Sequence, residues 1–122
     1  MEFKKILIVE DDDAIRETAR ESLEHGGYEV IEAENAFDGL DLFEKTNPDL
    51  VISDYVLPGM SGESLFIQIR RSNDTPFIMI SGYEKGGHLT NQLNYTFLAK
   101  PFDRTLLLDT VANALTVREH VA

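Results

Sequence analysis

The chain has 122 residues, a formal net charge of -11 and no cysteine, which suits one domain over residues 1–122 with one hydrophobic core and no disulfides. The negative charge disfavours nucleic acid and anionic membranes as direct partners, because both carry the same sign. No apolar stretch is long enough to cross a bilayer and no apolar h-region stands near the N-terminus, so the sequence predicts a cytoplasmic protein.

Strand and helix patterns alternate along the chain, which is typical of a fold built from β-α-β units. Apolar runs predict short buried strands, and apolar residues at four-residue spacing predict amphipathic helices. In chain order we expect a strand at about Lys5–Val9, a helix at Asp13–His25, a strand at Tyr28–Ala33, a helix at Ala36–Lys45, a strand at Leu50–Ser53, a helix at Glu63–Arg71, strands at Phe77–Ile80 and Tyr95–Ala99, and a last helix from after Asp103 to about Arg118. Asp12 or Asp13 is expected to cap the first helix, and Gly26–Gly27 to end it.

The stretch between the last two strands is where a fourth helix belongs. It includes Gly82, Gly86 and Gly87, and a glycine lowers helix stability by about 1 kcal/mol relative to alanine. We therefore expect a short or mobile fourth helix around His88–Leu93, and expect Glu84–Asn94 to be the most mobile part of the fold.

Strands that are separated by helices predict right-handed crossovers and a parallel sheet. Five such strands with helices on both faces predict a doubly wound α/β fold, for which we take the order 2-1-3-4-5, a common order in such sheets. In these sheets a ligand binds at the carboxyl ends of the strands, at the point where the strand order reverses. The predicted crevice therefore lies between the first and third strands.

Charged residues stand where three of the predicted strands stop. Glu10 and Asp11 follow the first strand, Asp54 ends the third, and Lys100 follows the fifth. Because the carboxyl ends of parallel strands meet at one edge, the carboxylates converge there and repel one another unless a cation lies between them. Oxygen ligands with room left for water and phosphate suit Mg²⁺. The sequence therefore predicts a site that moves a phosphoryl group.

Four strings carry a resemblance to a known family. ILIVEDD, PDLVISDYVLPGMSG, FIMISG and FLAKPF occur in this order and at matching distances, and together they resemble the receiver domain of two-component response regulators. The resemblance extends from about Lys4 to Val117 and implies a flavodoxin-like (βα)5 fold. The string around FIMISGY is similar to both hybrid-kinase receivers and small stand-alone regulators, and both possibilities remain open.

The resemblance implies a role for each acidic residue of the predicted site. Asp54 matches the phosphoacceptor aspartate, and Glu10 and Asp11 match the acidic pair that holds Mg²⁺ together with Asp54. The main-chain carbonyl of Val56 matches a further ligand of the ion. A carboxylate can attack phosphorus and form an acyl phosphate, so the general chemistry of these groups agrees with the implied roles.

Three further residues match positions that respond to the phosphoryl group. Lys100 matches the lysine that contacts it, and Lys100–Pro101 matches a peptide bond that is cis in the family. Ser81 matches the Ser/Thr whose hydroxyl turns toward the phosphoryl group. Phe97 matches the aromatic switch position, and a purely structural role in the core is an equal alternative for it.

The implied function is that of a signalling module, which catalyses only its own phosphorylation and autodephosphorylation. A sensor histidine kinase or a histidine phosphotransfer protein would donate the phosphoryl group to Asp54. An unidentified downstream protein would then read the new conformation. Val56 and Tyr83 match positions that tune the access of water to the phosphoryl group in this family, and we expect hydrolysis to be slow.

Two other functions compete with this one. A Mg²⁺-dependent phosphatase with an aspartyl nucleophile carries a second aspartate two residues later, where this chain has Val56. A flavin-binding module of the flavodoxin type needs a phosphate loop after the first strand, where Glu10 and Asp11 would repel phosphate. For Asp12 and Asp13, capping of a helix is a better explanation than metal binding.

Overall fold

Up to residue 81, apolar strand segments and amphipathic helices alternate as the sequence predicts. The computed structural model describes residues 3–82 and 95–121, with side chains up to residue 116. In chain order its elements are β1 (Lys5–Val9), α1 (Asp13–His25), β2 (Glu29–Ala33), α2 (Ala36–Thr46), β3 (Leu50–Asp54), α3 (Gly62–Arg70), β4 (Phe77–Ser81), β5 (Thr96–Ala99) and α4 (Arg104–Val121). Within this part of the chain, none of the helices combines the length and the apolar character needed to cross a membrane.

The ends of α1 lie where the sequence predicts them. Asp12 caps the helix, because its side chain accepts a hydrogen bond of 2.9 Å from the Ile15 N–H. Gly26 follows the last turn, and Gly27 has a φ of 93°, a left-handed conformation that glycine adopts at little cost. The bounds of β1 also agree with the prediction.

The other elements differ from the prediction by one to three residues at their ends. α3 begins at Gly62 rather than Glu63, because the Ser61 hydroxyl accepts a hydrogen bond from the Ser64 N–H and so caps the helix there. The remaining shifts are the start of β2 at Glu29, the end of α2 at Thr46, the end of α3 at Arg70, the inclusion of Asp54 in β3 and Ser81 in β4, the start of β5 at Thr96 and the end of α4 at Val121. The predicted fourth helix at His88–Leu93, the segment Glu84–Asn94 and Tyr83 all lie outside the described residues.

The sheet confirms the predicted strand order. Its five described strands are parallel and run β2-β1-β3-β4-β5. The register places Val9 beside Ser53 and Ser81 beside Ala99. The strands therefore end at nearly the same level, and the residues that follow them share one edge of the sheet.

Two hydrophobic clusters cover the two faces of the sheet. Along β1, Ile6 and Ile8 pack into the cluster formed with α1 and α4, whereas Leu7 and Val9 pack into the cluster formed with α2 and α3. This alternation follows from the two-residue period of a strand. Full burial of one such side chain contributes about 1.5–3 kcal/mol, so the central strands that carry the site are stabilised by packing on both faces.

β5 is less buried than predicted. The run Phe97–Ala99 was expected to be a buried strand, but only Leu98 is buried and Phe97 is 39% exposed. The reason is that β5 is the last strand in the order and, among the described strands, has a neighbour only in β4. The alternative that Phe97 is simply a core residue is therefore wrong.

Candidate functional site

Three carboxylates meet at the carboxyl edge of the two central strands. Glu10 and Asp11 directly follow β1, and Asp54 is the last residue of β3, which lies beside β1. Each residue offers one oxygen, and these oxygens lie within 4.8 Å of one another. Glu10 and Asp54 are 1% and 7% exposed, whereas Asp11 is open to solvent. The site is thus a buried acidic pair with an exposed third acid at its entrance.

Lys100 lies between the two buried acids. Its Nζ donates a hydrogen bond of 2.8 Å to Asp54 Oδ2 and lies 3.0 Å from Glu10 Oε1. The second contact is an ion pair without the geometry of a hydrogen bond, and Glu10 Oε1 has no other partner among the described residues. One ammonium group therefore partly balances two carboxylates, and one buried oxygen retains bonding capacity.

Burial and the neighbouring charged groups shift the pKa values of Glu10 and Lys100. Burial raises the pKa of the Glu10 carboxyl to about 7, although Lys100 and a hydrogen bond from the Asp12 N–H oppose the shift. Burial lowers the pKa of Lys100, but its contacts with Asp54 and Glu10 outweigh that effect and raise it overall. Lys100 is consequently charged at neutral pH and acts as the resident cation of the site.

Main-chain contacts fix Asp54 from both sides. Its Oδ1 accepts a hydrogen bond of 3.3 Å from the Val56 N–H, and the Tyr55 N–H donates to the Ile80 carbonyl at 2.7 Å. Behind it, the first residue of α3 is Gly62, where any Cβ would overlap the main-chain carbonyl oxygen of Asp54. The close approach of α3 to the end of β3 therefore requires glycine at this position.

Ser81 and Lys100 are joined through the main chain. The Lys100 N–H donates a hydrogen bond of 2.9 Å to the carbonyl oxygen of Ser81, which is buried at the end of β4. The Lys100–Pro101 peptide bond is cis, as the resemblance implies.

Phe97 lies two residues before Ala99 on the exposed edge strand, and Val56 is 50% exposed beside the site.

The oxygen atoms of the acidic cluster form a set of ligands that could hold a metal ion. They are hard donors, they come from three carboxylates, and one of them has spare bonding capacity in a buried position. Hard divalent cations prefer such oxygens. The predicted ligands Glu10, Asp11 and Asp54 are thus close enough to share one ion, and for Val56 the recorded contact is through its N–H.

Sequence reasoning missed two residues that shape the site. Arg16 donates a hydrogen bond of 2.8 Å to the carbonyl oxygen of Glu10, and Gly62 packs against Asp54. For Arg16, the only signal was a basic residue among acids in the first turns of α1. For Gly62 the signal was a glycine directly after a capping serine.

One family model matches most of the chain. It describes the response regulator receiver domain, and residues 6–112 match it. Curated relatives are consistent with this. Sensor kinase CckA of Brucella abortus (strain 2308) is 35% identical over 116 residues, which cover 90% of this chain and 12% of the kinase. Transcriptional regulatory protein CseB of Streptomyces coelicolor is 34% identical over 113 residues, which cover 84% of this chain and 45% of that protein.

A solved structure shows the same fold over nearly the whole chain. A CheY-like response regulator receiver domain protein from Methanospirillum hungatei JF-1 is 30% identical and matches with a TM-score of 0.91, covering 99% of this chain and 100% of that one. The curated relatives are longer, and this chain spans less than half of either. The likeness is therefore to one domain of those proteins.

Proposed function

This chain belongs to the response regulator receiver domain family, a family of phosphoacceptor signalling modules, and from that premise we propose that it accepts a phosphoryl group on Asp54. The observation that carries the proposal is the contact of one ammonium, Lys100 Nζ, with the carboxylates of both Asp54 and Glu10, at 2.8 and 3.0 Å. A carboxylate held at a strand end beside a lysine has both the nucleophile and the charge partner that phosphoryl transfer requires.

Asp54 is the nucleophile in this proposal. Its ionised carboxylate needs no general base, so an oxygen attacks phosphorus directly and forms an acyl phosphate. With a phosphohistidine donor, the phosphorus–nitrogen bond breaks as the oxygen–phosphorus bond forms, and the imidazole keeps the electron pair. Lys100 already contacts Asp54. After transfer its ammonium group would contact a negatively charged phosphoryl oxygen. The Ser81 hydroxyl, from the end of β4, would donate to another oxygen.

We further propose that the cation of the site is Mg²⁺, held by Glu10, Asp11, Asp54 and the main-chain carbonyl of Val56. When bound, the ion would neutralise charge on the phosphoryl oxygens during transfer. Support comes from the mutual approach of the carboxylate oxygens to within 4.8 Å and from the spare bonding capacity of buried Glu10 Oε1. Asp11, the exposed acid, would be the ligand on the solvent side of the ion.

The donor that suits this chemistry is a sensor histidine kinase or a histidine phosphotransfer protein. One relative is itself a sensor kinase, of which this chain spans 12%, and another is a transcriptional regulatory protein, of which it spans 45%. A receiver in either setting passes its state to a further protein by a change of surface. Ser81 and Phe97, on neighbouring strands β4 and β5, are the proposed switch. A cytoplasmic location and a domain of residues 1–122 fit this role.

Receiver domains are signalling modules rather than conventional enzymes, and the phosphatase alternative is not favoured. The residue two positions after Asp54 is Val56, and its side chain cannot act as a general acid or base. The only turnover we propose is the autodephosphorylation of Asp54 by water.

The test is to weigh the intact protein after treatment with acetyl phosphate and Mg²⁺. The native chain should gain one phosphoryl group, and Asp54→Asn should gain none. Asp12→Asn is the matched control, because asparagine caps a helix as well as aspartate does and the residue stands next to the acidic pair. An equal mass gain in native protein and Asp54→Asn would refute the assignment.

A further inference from the structure

Arg16 connects the acidic site to two neighbouring elements. Its side chain is 13% exposed, and its Nη1 donates a hydrogen bond of 2.8 Å to the main-chain carbonyl oxygen of Glu10. Its Nη2 pairs with Asp13 in the first turn of α1 at 2.6 Å, and its Nε lies 3.5 Å from Glu32 on β2. One guanidinium thus joins the end of β1 to both elements, with the fixed fork geometry that arginine provides.

The hydrogen bond to Glu10 fixes the peptide group that carries Asp11. The carbonyl of Glu10 and the N–H of Asp11 belong to one planar unit, so the orientation of that plane decides where the Asp11 side chain begins. On the other side of Glu10, its N–H donates to the Ala33 carbonyl at 3.1 Å. Among the described residues, no hydrogen bond or ion pair holds the Asp11 carboxylate itself. Its position therefore depends on its backbone.

We propose that Arg16 is a positioning residue, which holds the Glu10–Asp11 peptide so that the Asp11 carboxylate can share a cation with Glu10 and Asp54. This inference rests on the proposed function, because it takes that cation to be Mg²⁺. Among the described residues, Arg16 contacts none of the three carboxylates proposed to hold the ion, and it acts only through the backbone between two ligands. Outer groups that orient metal ligands typically change affinity by about 10- to 100-fold when removed.

Charge and positioning predict opposite effects for the loss of Arg16. Removal of a nearby positive charge would, by itself, strengthen the binding of a cation. That effect is small here, because carboxylates of Asp13, Glu32 and Glu34 surround the guanidinium, the last at 3.6 Å. Loss of the peptide orientation would weaken binding. The sign of the change therefore distinguishes the two roles.

Arg20 is a matched control on the same helix. It lies one turn after Arg16, pairs with Glu24 at 3.0 Å, and also contacts Glu32 at 3.4 Å. Among the described residues it makes no contact with Glu10. Arg20→Gln thus removes the same charge and a partner of the same glutamate, while the peptide before Asp11 keeps its hydrogen bond.

The experiment is a Mg²⁺ titration of the full chain, followed by tyrosine fluorescence, because Tyr55 adjoins Asp54 and the chain has no tryptophan. Arg16→Gln and Arg16→Lys should bind Mg²⁺ about tenfold more weakly than native protein, and Arg20→Gln should stay within about twofold of it. Phosphorylation by acetyl phosphate should recover in both Arg16 variants at saturating Mg²⁺, since every ligand is still present. Thermal melts without Mg²⁺ verify that each variant is folded. If Arg16→Gln is unfolded, the Mg²⁺ affinity of the charge-conserving Arg16→Lys tests the positioning role.

The outcomes separate the two proposals. Unchanged or tighter Mg²⁺ binding in the folded Arg16 variants would overturn the positioning role and leave the proposed function intact. A native chain that binds no Mg²⁺ overturns both. A rate that stays low at saturating Mg²⁺ would also contradict the inference, because it would assign Arg16 to the transfer step itself.

Discussion

Replacement of Gly62 by alanine tests whether α3 and the phosphoacceptor strand are in as close contact as the structure indicates. Gly62 is the first residue of α3 and is buried. A Cβ at this position would overlap the carbonyl oxygen of Asp54 and would lie 3.0 Å from Met79 Sδ. The added methyl group has no free space, so either the helix or the end of β3 must move.

The expected loss follows from two opposing effects. Overpacking costs about 1–3 kcal/mol, and we take the upper end because a main-chain carbonyl cannot rotate away as a flexible side chain can. Alanine in place of glycine contributes up to about 1 kcal/mol of helix propensity in return. The net loss in the free energy of unfolding is therefore about 2 kcal/mol, which corresponds to a decrease in Tm of about 8 °C for a domain of this size.

Urea denaturation of native protein, Gly62→Ala and Gly82→Ala measures this loss. Gly82 is the control, because a Cβ there would meet Lys100 Cδ at 3.8 Å, an ordinary contact. Gly82→Ala should stay within about 0.5 kcal/mol of native protein. Gly62→Ala should also accept phosphate from acetyl phosphate more slowly, since any movement of the end of β3 displaces Asp54. If Gly62→Ala were as stable as Gly82→Ala, the close approach of α3 to β3 would be refuted.

Two further predictions concern the ion and the lifetime of the acyl phosphate. Mg²⁺ at about 100 times its Kd should stabilise native protein by about 2.7 kcal/mol, and thermal melts should show that Asp11→Ala loses this stabilisation while Asp12→Asn keeps it; no effect of millimolar Mg²⁺ on native Tm would contradict the site. Val56→Asn should shorten the lifetime of phosphorylated Asp54 several-fold, because an amide beside the site can orient the attacking water; decay of the acyl phosphate measures this, Val56→Ala controls for lost bulk, and a longer lifetime in Val56→Asn would refute the reasoning.

The fold could be predicted because local pattern and tertiary structure agree. The apolar runs of β1, β3 and β4 are buried on both faces, and the Asp12 and Gly26–Gly27 signals mark the ends of α1. β5 was the exception. Its apolar run was read as buried, but the exposure of Phe97 depends on its place at the edge of the sheet, which the run itself does not encode.

The candidate site could be predicted as a set of residues but not as a set of contacts. Strand ends place Glu10, Asp54 and Lys100 together once the sheet is parallel. Two contacts could not be predicted: the ion pair of Lys100 with the Glu10 carboxylate, and the hydrogen bond from Arg16 to the Glu10 carbonyl. Both depend on how the elements pack in three dimensions. The serine before Gly62 indicated the start of a helix, but it did not show that this position requires glycine, because the overlap that Gly62 avoids is with a carbonyl of β3.

The contact between Lys100 and Asp54 joins residues that are 46 positions apart, and Glu10 lies on a third segment far upstream. During synthesis the acids emerge long before the lysine, and contacts of such separation form late because the intervening loops must close first. A nascent, truncated or misfolded chain consequently lacks the lysine partner of its phosphoacceptor. Under the proposed function, such a chain would not accept a phosphoryl group from its kinase. Phosphorylation of Asp54 would therefore require that the last strand has already joined the sheet.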